Sequence, residues 1–292
     1  MFGLMIGDAL GCQFNDMRPD DIPLLELDYV KQNPPKNYTD DTEMAISVLE
    51  EMIMNGVIDQ TSLQHRFLKR YSSWRRYGGG MLEVLESWRR GVSLQTAASS
   101  LYNGTGNFGN GAAMRVAPIS AFFAANEMDD LFEQVKRCTI LTHTHPYGIS
   151  GALLQAYVTL LALNDEPVTT WIDKIFKLPI ESAFKIKMGH MVQCLDRNAG
   201  PNECAREVGN GSEAIEAVPA AIYSVLRYPD SFSDALFFAV SMGGDTDTIA
   251  AMTGAIAGAL HGTEHIPQEM ISAVDETREG PIFVKELISK GY

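Results

Sequence analysis

Paired cysteines, basic clusters, long apolar runs and strand-like alternation are all absent from this chain of 292 residues. Its four cysteines, Cys12, Cys138, Cys194 and Cys204, are scattered without C-x-x-C spacing. That excludes a zinc ribbon and a disulfide framework, and it fits a reduced, cytoplasmic protein. A formal net charge of −14 leaves no basic face to track phosphates, so no nucleic-acid partner is expected. An acidic protein can still bind an anion through metal ions or backbone N–H groups. The N-terminal MFGLMIGDALG has neither the basic flank of a signal peptide nor the length of a spanning helix. Residues 249–260, the most apolar internal run, suit a buried helix rather than a bilayer, so no membrane partner is expected. No linker, low-complexity segment or charge block divides the chain, and residues 1–292 read as one domain.

What the sequence has in plenty is helical periodicity. From Asp41, the run DTEMAISVLEEMIMNG puts Met44, Val48 and Met52 on one face, with Gly56 as the stop. Similar patterns predict helices near 61–77, 112–125, 129–141, 148–163, 181–195, 212–227, 231–241, 247–260, 267–278 and 282–290. The fold class is therefore all-α. Segments 14–40 and 100–111 read as long loops, which inside a compact domain are usually functional.

Two acidic helix starts carry the strongest chemical signal. GGDTDT places Asp245, Asp247 and Thr248 ahead of a small-residue helix, and YTDDTEMA places Thr39, Asp40 and Asp41 ahead of another. Either cluster alone reads as an ordinary N-cap. Together they offer carboxylate and hydroxyl oxygens of the kind hard divalent cations take, as in two-metal hydrolytic sites.

The glycine-rich NGTGNFGNG, residues 103–111, opens a further helix, so its free N–H groups fit a phosphate cradle with Phe108 stacking on a base. A flexible turn around one buried aromatic is the alternative. It is not a P-loop, because the Gly-Lys-Ser/Thr ending is missing. His143 and His145 lack partners at zinc-ligand spacing, which leaves a single histidine donor to a ligand or a buried structural one. In GLMIGDALG, glycines at every fourth position allow close helix packing, and Asp8 reads as a structural hydrogen-bonder.

Taken in order, GDALG, TDDTEMA, GNGAAMRVAP, the Thr142-His143 pair and GGDTDTIAAMTGAIAGAL resemble the ADP-ribosylglycohydrolases. That family includes dinitrogenase reductase-activating glycohydrolase and the ADP-ribosylarginine and ADP-ribosylserine hydrolases. The similarity runs from Gly3 to about Gly262. It implies an orthogonal helical bundle with two Mg²⁺ (or Mn²⁺) ions at the base of an ADP-ribose cleft. Thr39, Asp40, Asp41, Asp245, Asp247 and Thr248 would hold the metals, with Asp41 and Asp247 also among the catalytic positions. Gly106, Asn107 and Phe108 would form the phosphate loop, Gly109, Asn110 and Gly111 would lie beside the ribose, and His143 would line the cleft. The implied activity is release of ADP-ribose from a modified protein side chain, with arginine the expected linkage, by a monomer. One departure stands out. The family commonly carries GDALG-x-x-x-Glu, and the acid/base position here is Asn15, with Asp16 next door as a substitute. A protein that binds ADP-ribosylated targets or a toxin without turnover is thus the alternative.

Overall fold

The computed structural model describes residues 1–123, 127–274 and 279–290. Eighteen α-helices run through them, and no strand is found among them beyond an isolated bridge between Gly109 and Glu213. Asp40–Asn55 forms because extended Thr39 starts it and left-handed Gly56 ends it; Met44, Val48 and Met52 on its inner face are buried. Pro146–Leu163 is the one helix among the described residues long and apolar enough to cross a membrane. Here it is a core helix, buried along most of its length against Ala214–Arg227 and Thr246–His261.

The centre of the fold is the packing of Phe2–Gly11 on Thr246–His261, the most extensive helix pair among the described residues. Gly3, Gly7 and Gly11 face the carbonyls of Gly254, Ala250 and Thr246 so closely that a Cβ at any of the three would overlap them. Thr246 Oγ1 donates to Gly11 O at 2.8 Å where the two helices meet. Their close approach sets the turn at residues 11–15 beside the 245–248 helix start. A continuous apolar core then extends from Met5 to Val284.

Several boundaries differ from the periodic pattern. The 61–77 helix stops at Arg70, because the Ser72 amide turns away to Glu43 Oε1 at 2.8 Å. In place of a 112–125 helix come a 3₁₀ turn, Ala113–Arg115, and a short helix, Ala117–Ser120; residues 124–126 lie outside the described set. The 267–278 expectation holds over Gln268–Ala273, with 275–278 likewise outside. Gly79–Arg89, Leu94–Ser99, Trp171–Phe176 and Pro201–Glu207 are helices the pattern did not reveal, and Leu27–Gln32 interrupts the 14–40 loop. Glycine-rich or short segments carry too few apolar repeats to show a period.

Candidate active site

The site is built upward from Asp8. This fully buried carboxylate accepts from Thr39 N at 2.9 Å, Thr42 N at 3.0 Å and Thr42 Oγ1 at 2.6 Å, and so anchors the start of the Asp40–Asn55 helix. Burial pushes its carboxyl above the ordinary value. Thr39 Oγ1 lies 2.8 Å from Asp8 Oδ1 and 2.9 Å from Asp41 Oδ2, so its single proton serves one of them at a time. The structural role read for Asp8 holds.

The two acidic helix starts meet. Thr248 Oγ1 reaches Asp41 Oδ2 at 3.5 Å across a sequence separation of 207 residues. Asp40, Asp41, Asp245, Asp247 and Thr248 all line one solvent-open cleft of about 270 Å³. Gly243 and Gly244, both at positive φ, turn the chain sharply into this helix start. Asn210 O then receives the Asp245 amide. Burial first, and then neighbouring acids, push Asp40, Asp41 and Asp247 well above the ordinary carboxylate range. Burial also raises Asp245, against the stabilising amide of Asn110.

Do these residues suit divalent cations? Asp41 Oδ1 is buried and has no hydrogen-bond partner, an arrangement disfavoured unless something cationic or protic faces it. Carboxylates with one hydroxyl are the oxygen donors that Mg²⁺ or Mn²⁺ accept. Among the described residues, however, no three His, Cys, Asp or Glu side chains close around one point as a ready-made cage. The donor set fits the metals, with Thr39 placed behind the cleft wall rather than on it.

Asn15 is part of the same wall. Its Nδ2 donates to Asp247 Oδ2 at 2.9 Å, and its Oδ1 accepts from Thr246 N at 3.0 Å. It therefore caps the Thr246–His261 helix and orients Asp247. Asp16, at φ 66°, is exposed and absent from the cleft lining, with its N–H held by Gly244 O at 2.8 Å.

The 106–111 loop divides in two. Asn107, Gly109, Asn110, Gly111 and His143 line the cleft, whereas Gly106 and Phe108 do not. Three of the loop's amides are already engaged: Gly106 with Leu101 O, Gly109 with Asn107 Oδ1, and Asn110 with Ser212 O. Phe108 lies in a tilted contact with Tyr102 at 5.2 Å and edge-on to His145 at 5.7 Å. His145 caps the Pro146–Leu163 helix through Nδ1, which accounts for the second histidine without a metal.

His143 is held from behind. Buried Arg115 donates to Thr142 Oγ1 at 2.7 Å, and Thr142 Oγ1 lies 2.7 Å from His143 Nδ1. Among the described residues, Nδ1 is the one acceptor within reach of the Thr142 hydroxyl proton, and that assignment leaves the imidazole hydrogen on Nε2, beside Gly111. Burial and the Arg115 charge lower its pKa well below 6.5, and it stays neutral.

Four cleft features escaped the sequence reading. Gly78, Gly79 and Gly80 line the cleft at the start of the Gly79–Arg89 helix, whose first turn has no capping side chain. Its open amides and dipole suit a phosphate better than the occupied amides of the 106–111 loop. Tyr102, 49% exposed, lines the cleft in front of Phe108. Arg76 and Ser212 complete the wall. The Gly-Gly-Gly run was the available signal for the first of these.

Comparison with known proteins identifies the family. An ADP-ribosylglycohydrolase family model matches residues 1–290. A Xenopus tropicalis protein named ADP-ribosylhydrolase ARH3 is 32% identical over 308 residues, covering 91% of this chain and 87% of its own. Its Homo sapiens namesake is 31% identical, with 86% and 78% covered. A solved structure described as an ADP-ribosylglycohydrolase-related protein complex superposes with a TM-score of 0.74 at 25% identity, covering 99% of this chain and 93% of that one. With that family model matched along the chain, this chain belongs to the ADP-ribosylglycohydrolase family.

Proposed function

We propose that this protein is a metal-dependent hydrolase that releases ADP-ribose from a modified protein side chain. The observation that carries the reading is the junction of the two acidic helix starts around the unpartnered Asp41 Oδ1. Asp40, Asp41, Asp245, Asp247 and Thr248 would hold two Mg²⁺ or Mn²⁺ ions. Bound there, such ions would polarise a water and neutralise charge as the glycosidic bond breaks. The rest of the cleft does the recognition. The Gly79–Arg89 helix start faces the diphosphate with free N–H groups, and Tyr102 offers a face for the adenine. His143 donates from Nε2, fixed by Thr142 and Arg115, and Asn15 keeps Asp247 turned toward the cleft.

The second reading, a binding protein without turnover, draws on the Asn15 amide, which cannot exchange a proton at neutral pH. One experiment separates the two. The protein is incubated with peptides ADP-ribosylated on arginine, serine or glutamate, with Mg²⁺ or with EDTA, and free ADP-ribose is followed. Metal-dependent release from any of them supports the hydrolase. Release from none, with calorimetry still showing ADP-ribose bound, would establish the binder.

A further inference from the structure

The two ends of the cleft are tied together behind its wall. Glu43 follows Asp40 and Asp41 on the Asp40–Asn55 helix, yet it is buried and does not line the cleft. Its Oε1 accepts from Ser72 N at 2.8 Å and from the Tyr77 hydroxyl at 2.9 Å, and its Oε2 lies 3.7 Å from Arg75 Nε. Arg75 O in turn accepts from Asp40 N at 2.8 Å. The Arg75 guanidinium lies over the Tyr38 ring at 3.4 Å and the Trp74 ring at 3.7 Å, and its Nη1 donates to Tyr38 O. Residues 72–77 therefore form a strap, fastened at Ser72, Arg75 and Tyr77 to the first turn of the helix that carries Asp40 and Asp41.

That strap ends where the Gly78–Gly80 helix start begins. A Cβ added at Gly78 or Gly79 would meet nothing within 4 Å, so packing does not hold these two residues in place. Tyr77, immediately before them, is buried, with its ring against Tyr71 at 5.0 Å and its hydroxyl on Glu43. For packing alone an apolar side chain at position 43 would serve, without the cost of burying a carboxylate. What the carboxylate adds is direction: two donors from the strap converge on one of its oxygens.

We propose that Glu43 and Tyr77 are positioning residues that hold the Gly78–Gly80 helix start at a set distance from Asp40 and Asp41, and so make divalent-cation binding and ADP-ribose binding reinforce one another. The inference rests on the hydrolase reading above and deepens its account of that site. ADP-ribose would reach the cation with its ribose and the open amides with its diphosphate. With the spacing held, binding at one end leaves less to be ordered at the other, which is positive coupling. A loosened strap would leave each end able to bind and weaken the link between them.

Calorimetry reads that link as the ratio of ADP-ribose affinities in saturating Mg²⁺ and in EDTA. Wild type is expected to bind ADP-ribose roughly 5- to 100-fold tighter with Mg²⁺, the usual span of such coupling. Tyr77→Phe keeps the ring and every charge but removes the hydroxyl. Its ratio should fall roughly 3- to 10-fold, the range of one lost hydrogen bond. ADP-ribose affinity in EDTA, and Mg²⁺ affinity without ADP-ribose, should each stay within about twofold of wild type. Glu43→Gln, whose amide cannot pair with Arg75, should lower the ratio as well. A purely structural role would lower the melting temperatures and leave the ratio alone; that result in both variants would overturn the proposal. Loss of either affinity measured singly in Tyr77→Phe would also overturn it, by confining the effect to one end of the cleft. A wild type whose ADP-ribose affinity ignores Mg²⁺ would remove the metal-dependent reading itself, and this inference with it.

Discussion

Asn15 makes two bonds that only an amide makes together, donating to Asp247 and accepting from the Thr246 N–H. Asn15→Asp keeps the shape and the acceptor but sets a carboxylate against a carboxylate. Without metal, that variant should lose about 1–3 kcal/mol, read as a shift in the urea midpoint. Mg²⁺ should return most of the loss. Metal-free stability equal to wild type would mean that the two side chains do not meet in solution. His143 gives a pH signature. A histidine depressed below 6.5 stays neutral in the fold while the unfolded chain takes up the proton. Its contribution is present above about pH 6.5 and is lost as the pH falls. His143→Gln removes the titration but keeps an N–H near the Nε2 position. The variant's stability should therefore decline less than wild type's between about pH 6.5 and 5; parallel curves would place the imidazole in water.

At the scale of elements, the Phe2–Gly11 and Thr246–His261 pair decides how far the carboxylates stand from one another. A methyl group at Gly7 would run into the Ala250 carbonyl, which is backbone and cannot swing aside. Gly7→Ala is expected to cost about 1–3 kcal/mol or more, and to weaken Mg²⁺ binding although it touches no ligand. At Gly189, inside Ser182–Asp196, an added methyl would meet nothing within 4 Å. Gly189→Ala should accordingly gain about 0.5–1 kcal/mol through helix propensity alone. Thermal melts of both, with Mg²⁺ titrations, check the contrast. Equal effects would show that helix propensity rather than helix contact governs both positions.

For the molecule as a whole, the two helix starts should behave as one unit. Asp41→Ala and Asp247→Ala should each abolish most metal binding, and the double variant should be little worse, since residues sharing one site are not additive. Losses that simply summed would mean two separate sites. Mg²⁺ at about 100 times its dissociation constant should stabilise wild type by about 2.7 kcal/mol, and the double variant hardly at all.

Much of this was legible in the chain itself. Helix starts are local, and a carboxylate next to the first turn reveals itself through residue type and spacing, as Asp40, Asp41, Asp245 and Asp247 did. The glycine repeat in Phe2–Gly11 announced a close helix contact for the same reason. Other features depend on contacts between residues far apart in sequence, which periodicity does not encode. Asn15 orients Asp247 across 232 positions. Phe108 turns its ring onto Tyr102 and His145, which leaves Tyr102 on the cleft wall. The 106–111 loop uses three of its amides within the protein, whereas the helix start at Gly78–Gly80 lines the cleft without a capping side chain. Sequence alone determined which residues bring charge, oxygen donors and flexibility. Tertiary structure decided which of them face the same space, because a cleft wall is assembled by packing between helices and not by spacing within any one of them.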